Sequence, residues 1–276
     1  MNPLVSVAWL KNNLNDPDLV ILDASIPKAG SSAAPKHAGK RIPGARFFDL
    51  KGSFSDRECQ IPNTLPQPEQ FVRESRNLGI NTSSKIIVYD NLGVYSSPRA
   101  WWMFRVMGHA AVAVLDGGLP EWIARGHATE VITDLSYPRG NFKANYQAHL
   151  IKNAADLSTN LENPRAMVID ARSQGRFTGT APEPRDSLRS GHIPGSVNLY
   201  YNQVLREGKF LPQEELTTVI NDLDLGDQPL IFTCGSGITA CILMLACELV
   251  NGNAKAVYDG SWAEWGLAGN GLPVEL

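Results

Sequence analysis

Short apolar runs rich in Val and Ile alternate along the chain with longer segments of helical character, and the runs recur in a fixed order. Val20-Ile21-Leu22-Asp23-Ala24 is matched by Met167-Val168-Ile169-Asp170-Ala171. Each is followed by an Ile-Pro-Gly turn, in Arg41-Ile42-Pro43-Gly44-Ala45 and in His192-Ile193-Pro194-Gly195-Ser196. Lys85-Ile86-Ile87-Val88-Tyr89-Asp90 is matched by Pro229-Leu230-Ile231-Phe232-Thr233-Cys234. Val114-Leu115-Asp116-Gly117-Gly118 with Glu121-Trp122 is matched by Val257-Tyr258-Asp259-Gly260-Ser261 with Glu264-Trp265. Matched blocks in one order mark a duplication whose period is far longer than that of a solenoid, so each copy is expected to be a whole domain. The expected bounds are 1–137 for the first copy, 138–150 for a linker carrying Pro138, Gly140 and asparagines, and 151–276 for the second.

Within each copy the apolar strands are short and bounded by turn residues, and the clearest helical patterns lie at 97–107 and 238–250. Alternation of strand and helix predicts an α/β fold: two tandem domains, each a mainly parallel sheet flanked by helices. Right-handed crossovers bring the strand C-termini to one edge, where ligands bind in such folds. Cys234 falls at that edge, after the strand Leu230 to Thr233 and before a helix.

The segment around it reads Cys234-Gly235-Ser236-Gly237-Ile238-Thr239-Ala240. Its glycines let the backbone curl with N–H groups turned inward, and the following helix adds unsatisfied N–H groups and the positive end of its dipole. Such a loop cradles an anion and favours a thiolate nucleophile. A buried strand-end cysteine beside a glycine-rich turn is the bland alternative. A cysteine-dependent phosphatase is a third reading, but that chemistry places an arginine after five intervening residues, and here that position is Ala240.

Composition narrows the partners. The chain has 276 residues, 43% hydrophobic and 19% charged, which supports packed cores and argues against wholesale disorder. A formal net charge of −3 gives no reason to expect nucleic acid, although local arginines can still hold a small anion. The first ten residues lack the basic start of a secretory signal and the arginines of a transit peptide. The apolar run at 238–250 is too short to span a bilayer and contains Glu248. A cytoplasmic protein without a membrane partner is expected. Four cysteines, Cys59, Cys234, Cys241 and Cys247, form no CxxC pair and no metal-ligand spacing. Cys241 and Cys247 are expected to be buried small hydrophobes. Cys59 is expected to be incidental, and no structural disulfide is expected.

The Cys-Gly-Ser-Gly-Ile-Thr-Ala string, the two Ile-Pro-Gly turns and the Asp-Gly-Ser-Trp with Glu-Trp ending resemble the rhodanese superfamily. The tandem arrangement, with Cys234 in the second copy and Asp90 at the matching position of the first, resembles the 3-mercaptopyruvate sulfurtransferases. Ser97-Pro98-Arg99-Ala100-Trp101-Trp102-Met103 is similar to that family's inactive N-terminal domain. The resemblance implies sulfur transfer from a small-molecule donor, 3-mercaptopyruvate, through a Cys234 persulfide to a thiol, thioredoxin or cyanide. No metal or organic cofactor is required, because the cysteine is the carrier.

Substrate contacts are implied for Gly235, Ser236, Gly237, Ile238 and Thr239. Two more are implied for Arg176 and Arg185, which match the family's substrate-holding arginines in the segment 175–186. Thiosulfate sulfurtransferases carry basic side chains after the cysteine, where this chain has Gly235 and Ser236, so thiosulfate:cyanide sulfurtransferase is the alternative reading. A non-catalytic rhodanese-like binding module is another. Some family members use a histidine before the first Ile-Pro-Gly turn in a relay through the loop serine. This chain has Arg41 there and His37 four residues earlier, so no relay base is assigned. Arg189 is expected at the surface or between domains, and His192 as a brace for its turn. The tryptophans at 101, 102, 122, 262 and 265 are expected in packing. The two Asp-Gly turns are expected to draw unusual backbone angles from glycine.

Overall fold

Strands built around consecutive apolar residues must be covered on both faces, and two five-stranded parallel sheets meet that demand in a computed structural model describing residues 1–28, 36–132 and 136–276. The first contains β1 (Leu4–Val5), β2 (Leu19–Asp23), β3 (Arg46–Phe47), β4 (Lys85–Tyr89) and β5 (Val112–Leu115). Its helices are α1 (Val7–Asn13), α2 (Pro68–Asn77), α3 (Ser97–Val106) and α4 (Gly118–Ala124). The second contains β6 (Ile151–Lys152), β7 (Met167–Asp170), β8 (Val197–Asn198), β9 (Leu230–Thr233) and β10 (Lys255–Tyr258). Its helices are α5 (Ala154–Glu162), α6 (Gln174–Phe177), α7 (Gln213–Asn221), α8 (Ala240–Val250) and α9 (Ser261–Trp265). The strand orders, β1-β5-β4-β2-β3 and β6-β10-β9-β7-β8, are the same, and every neighbouring pair is parallel. The duplication read from the apolar runs is thus a duplication of topology.

The chain forms two compact units. One gathers Met1–Glu58, Leu65–Gln147 and Glu207–Phe210; the other gathers Cys59–Thr64, Ala148–Arg206 and Leu211–Leu276. In the first unit Ile21, Ile87, Ala113 and Leu115 of the sheet pack with Val7, Leu10, Leu119 and Trp122 from α1 and α4. Alternation turns Leu22, Ile86, Val88 and Val114 to the other face, where α3 lies on β4 and β5. In the second unit Val168, Ile231 and Tyr258 pack with Leu157 of α5 and with Trp262 and Trp265 of α9, while α8 covers β9 and β10. All five tryptophans expected in packing are buried. Each such large apolar side chain contributes about 1.5–3 kcal/mol by leaving water.

Helix ends explain how these elements meet the sites at the sheet edges. Pro98 occupies the first turn of α3, where a missing N–H costs nothing. Asn153 and Asp156 form a capping box at α5. The helix expected from residue 238 begins at Ala240, after a turn closed by shorter-range bonds, Cys241 N–H to Ile238 C=O at 3.2 Å and Ile242 N–H to Thr239 C=O at 3.1 Å. The two Ile-Pro-Gly turns are closed alike, by Ala45 N–H to Ile42 C=O at 3.0 Å and Ser196 N–H to Ile193 C=O at 3.1 Å. His192 braces the second one, with Nδ1 2.9 Å from the Phe177 carbonyl and its ring stacked on Phe177 at 3.8 Å.

Candidate active site

β9 ends at Thr233, and the chain reaches α8 through a six-residue loop that begins with Cys234, 2% exposed. The loop is held from beneath by the start of α9. Ser261 Oγ accepts the N–H of Cys234 at 3.2 Å and of Gly237 at 3.1 Å, and donates to the Tyr258 carbonyl at 2.9 Å. The N–H groups of Trp262 and Ala263 bind the carbonyls of Cys234 and Gly235, both at 2.9 Å. These bonds fix the Cys234 backbone without using its sulfur.

Ser261 is a residue that sequence reasoning passed over. The unusual angle expected at glycine in the Asp259-Gly260-Ser261 turn falls on Ser261, with φ at 51°, while Gly260 has φ at −65°. The matching residue in the first copy is Gly118, φ at 50°, so the second copy puts a side chain where its own repeat has none. That departure was the available signal. A left-handed non-glycine residue costs on the order of 1 kcal/mol, and here the side chain so placed satisfies two buried N–H groups. Ser261→Ala is expected to lower stability by about 2 kcal/mol and to reduce turnover. Ser261→Gly, relieved of the backbone cost, is expected to lose less stability but the same turnover. Thermal unfolding and steady-state rates of the two variants check this; wild-type turnover in both would contradict it.

An accounting of loop N–H groups indicates what the site can hold. Among the described residues no acceptor takes the N–H of Gly235, Ser236, Ile238, Thr239 or Ala240. The first copy shows the same curl filled. There Asp90 Oδ2 accepts the N–H of Tyr95 at 2.8 Å, Ser96 at 3.0 Å and Ser97 at 2.9 Å, and the Ser97 hydroxyl at 2.7 Å. Asp90 Oδ1 takes the Leu92 N–H at 3.0 Å. Counting back from the first helical residue, 95–97 correspond to 238–240. Burial pushes the Asp90 carboxyl upward in pKa while these donors pull it down. Burial is the larger influence, so the carboxyl lies above its ordinary value even with five donors on its two oxygens. The first copy fills its loop with its own carboxyl group; the second leaves the equivalent donors for a ligand.

The arginines of the segment 175–186 separate in the structure. Arg176 lies against the loop: a Cβ on Gly235 would stand 3.0 Å from its guanidinium, so glycine there leaves room for the cation. Glu183 holds it, through Nε at 3.0 Å and Nη2 at 2.6 Å. Glu183 also takes Arg172 Nη1 at 2.8 Å, and Arg172 is paired with Asp170 at 2.6 Å and stacked over Trp262 at 4.2 Å. Burial pulls the Arg176 guanidinium down in pKa, but Glu183, with Cys234 and Asp170 adding, raises it above its ordinary value, so it remains a cation. Arg185 is exposed, and its side chain makes no hydrogen bond or ion pair with any described residue. Arg189, expected at the surface or between domains, is instead half-buried and ties down the chain after α9. It donates to the carbonyls of Trp265 and Leu272, both at 2.8 Å.

Ser236 and Thr239 are half-exposed, whereas Gly237 and Ile238 are buried. Ser236 is met by Asn63, a second residue that sequence reasoning missed. Arg41 is 3% exposed and paired with Glu130 at 2.7 Å. The His37 side chain makes no hydrogen bond with any described residue. None of the four cysteines forms a disulfide. Cys241 Sγ is directed to the Gly237 carbonyl at 3.3 Å, and burial pushes the Cys247 thiol up to about 12. Among the described residues no three His, Cys, Asp or Glu side chains gather as metal ligands, and no helix is long and apolar enough to cross a membrane.

Comparison with known proteins agrees with this architecture. The family model described as Rhodanese-like domain matches residues 6–125 and again 153–268. The 3-mercaptopyruvate sulfurtransferase of Homo sapiens is 40% identical over 274 residues, covering 95% of this chain and 91% of that protein. The thiosulfate sulfurtransferase of Rattus norvegicus is 41% identical over 274 residues, with the same coverage. Among solved structures, SseA from Escherichia coli, described as showing the rhodanese fold and catalytic mechanism of 3-mercaptopyruvate sulfotransferases, superimposes with a TM-score of 0.84. It is 34% identical, over 96% of this chain and 100% of that one.

Proposed function

The chain belongs to the rhodanese family, and from that premise we propose that it is a 3-mercaptopyruvate sulfurtransferase whose carrier is Cys234. One observation carries the choice of residue. Cys234 heads a loop with five N–H groups that no described protein acceptor takes, beside the Arg176 cation. The aligned loop of the first copy turns its donors on the side chain of Asp90 in that position.

In the first half-reaction the Cys234 thiolate attacks the sulfur of 3-mercaptopyruvate. An S–S bond forms, the C–S bond breaks, and the electron pair leaves on pyruvate as its enolate, which then takes up a proton. Arg176 and Arg185 hold the substrate carboxylate and keto oxygen; Arg185 is exposed and has no side-chain partner among the described residues, as a ligand-seeking cation requires. The N–H groups of residues 235, 236 and 238–240 and the hydroxyls of Ser236 and Thr239 stabilise charge on the departing group and on the terminal persulfide sulfur. In the second half-reaction an acceptor thiolate, such as a small thiol or thioredoxin, or cyanide, attacks that terminal sulfur and returns Cys234 as thiolate. The catalytic copy is 151–276, and the copy at 1–137 has Asp90 in place of a thiol. The reading places the reaction in a reducing compartment, the cytoplasm, where Cys234 and its acceptor stay reduced.

Steady-state transfer with 3-mercaptopyruvate and thiosulfate as parallel donors tests the proposal. A strong preference for 3-mercaptopyruvate is expected, because Gly235 and Ser236 place no cation in the loop for a dianion. Arg185→Ala is expected to raise KM for 3-mercaptopyruvate about tenfold or more, the loss of one charge-assisted hydrogen bond. A preference for thiosulfate would reverse the assignment of donor, and an unchanged KM would remove Arg185 from the site.

A further inference from the structure

Ser236 needs a partner that decides what its hydroxyl can do. Its side-chain partner among the described residues is the carboxamide of Asn63. Asn63 Nδ2 stands 3.0 Å from Ser236 Oγ and 3.2 Å from the Ser236 carbonyl oxygen. A carbonyl oxygen only accepts, so the amide nitrogen must face it, and this fixes the orientation of the carboxamide. Both Nδ2 hydrogens are then directed at Ser236, one to each oxygen. Ser236 Oγ accepts, and its own hydrogen has no acceptor among the described residues.

The segment carrying Asn63 is shaped to present it. Thr64 Oγ1 donates to the Ile61 carbonyl at 2.7 Å and lies 3.3 Å from Cys59 Sγ, closing a tight turn. Asn63 sits in that turn at φ 62°, a left-handed conformation that asparagine tolerates better than most residues. Although distant in sequence, Cys59–Thr64 belongs to the same compact unit as the Cys234 loop.

We propose that Asn63 is a positioning residue for sulfur transfer: it pins Ser236 so that the serine hydroxyl donates in one direction, to the sulfur bound at Cys234. This rests on the reading of Cys234 as carrier. A carboxamide neither takes nor gives a proton at neutral pH, so Ser236 works as an oriented hydrogen-bond donor rather than through a proton relay. The bond strengthens as charge builds on the transferring sulfur, so its loss falls on kcat rather than KM.

The test is a double-mutant cycle in the full chain with 3-mercaptopyruvate as donor, repeated with thiosulfate. Asn63→Gly keeps the left-handed backbone unstrained while removing the donor. Asn63→Asp keeps size and backbone preference and replaces the amide donor by a carboxylate oxygen. Both are expected to lower kcat about tenfold, with KM within about twofold of wild type. Ser236→Ala is expected to lose a similar amount, and Asn63→Gly with Ser236→Ala no more than Ser236→Ala alone. Thermal midpoints separate misfolded variants from slow ones. Wild-type kcat in both Asn63 variants, or full additivity with Ser236→Ala, would overturn the role of Asn63 while leaving Cys234 as carrier. Wild-type protein transferring sulfur from neither donor would instead overturn the parent reading, and this proposal with it.

Discussion

Cys234→Ala is expected to reduce sulfur transfer to background, a loss on the order of 10⁴-fold or more, while leaving the fold intact. The two halves of this expectation have separate causes. The fold should hold because the loop is fastened through backbone groups: Ser261 takes the N–H of residues 234 and 237, and α9 takes the carbonyls of residues 234 and 235. Removing one small side chain leaves these bonds in place. Activity should vanish because no other cysteine can take over. Cys247 stays a neutral thiol, pushed up to about 12 by burial, and Cys241 is buried on α8 with its sulfur directed to the Gly237 carbonyl. Cys59 lies in its own turn beside Thr64. Rates and thermal midpoints of the variant, measured side by side, check both halves. Retained transfer would show that another group carries the sulfur.

Glu183→Ala is expected to be the most destabilising change near the site, costing about 3 kcal/mol or more. The Glu183 side chain is 2% exposed and bridges Arg172, which is fully buried, and Arg176. Without it Arg172 keeps Asp170 and the stack on Trp262 but loses the Glu183 carboxylate, and Arg176 loses the only carboxylate it pairs with among the described residues. Uncompensated buried charge makes breaking such a pair costly even where the intact pair adds little to stability. The variant should unfold at lower denaturant with an unchanged m-value, and its KM for 3-mercaptopyruvate should rise as Arg176 swings from its place over Gly235. Glu183→Gln keeps hydrogen-bonding capacity without the charge and should fall between. Wild-type stability in Glu183→Ala would show that the two arginines need no bridging carboxylate.

What could be read from the sequence was local. The strand cores at 20–22, 86–89, 167–169 and 230–232 declare themselves by unbroken apolar runs, because parallel strands are covered on both faces. Their repetition gave two sheets of one topology, and the Cys-Gly-Ser-Gly string placed Cys234 between β9 and α8. The contacts that shape the site were not local. Ser261 reaches the loop across 27 residues of sequence and Asn63 across 173, and no periodicity links such positions. Glu183 was visible inside the segment 175–186 but unremarkable among charged neighbours, since only the folded chain shows it buried between two arginines. Arg189 looked like a surface charge for the same reason; its carbonyl partners lie more than seventy residues away. α8 starts two residues later than the side-chain pattern suggests, because such a pattern does not reveal that the first turn closes through i→i−3 bonds.

The most direct test is to treat the protein with one equivalent of 3-mercaptopyruvate in the absence of any acceptor, then locate the added sulfur by peptide mass mapping and assay the pyruvate released. The account predicts one sulfur atom on the peptide containing Cys234, one pyruvate released per protein, and loss of that sulfur when a thiol is added. Pyruvate released with the sulfur on another cysteine, or on none, would contradict it.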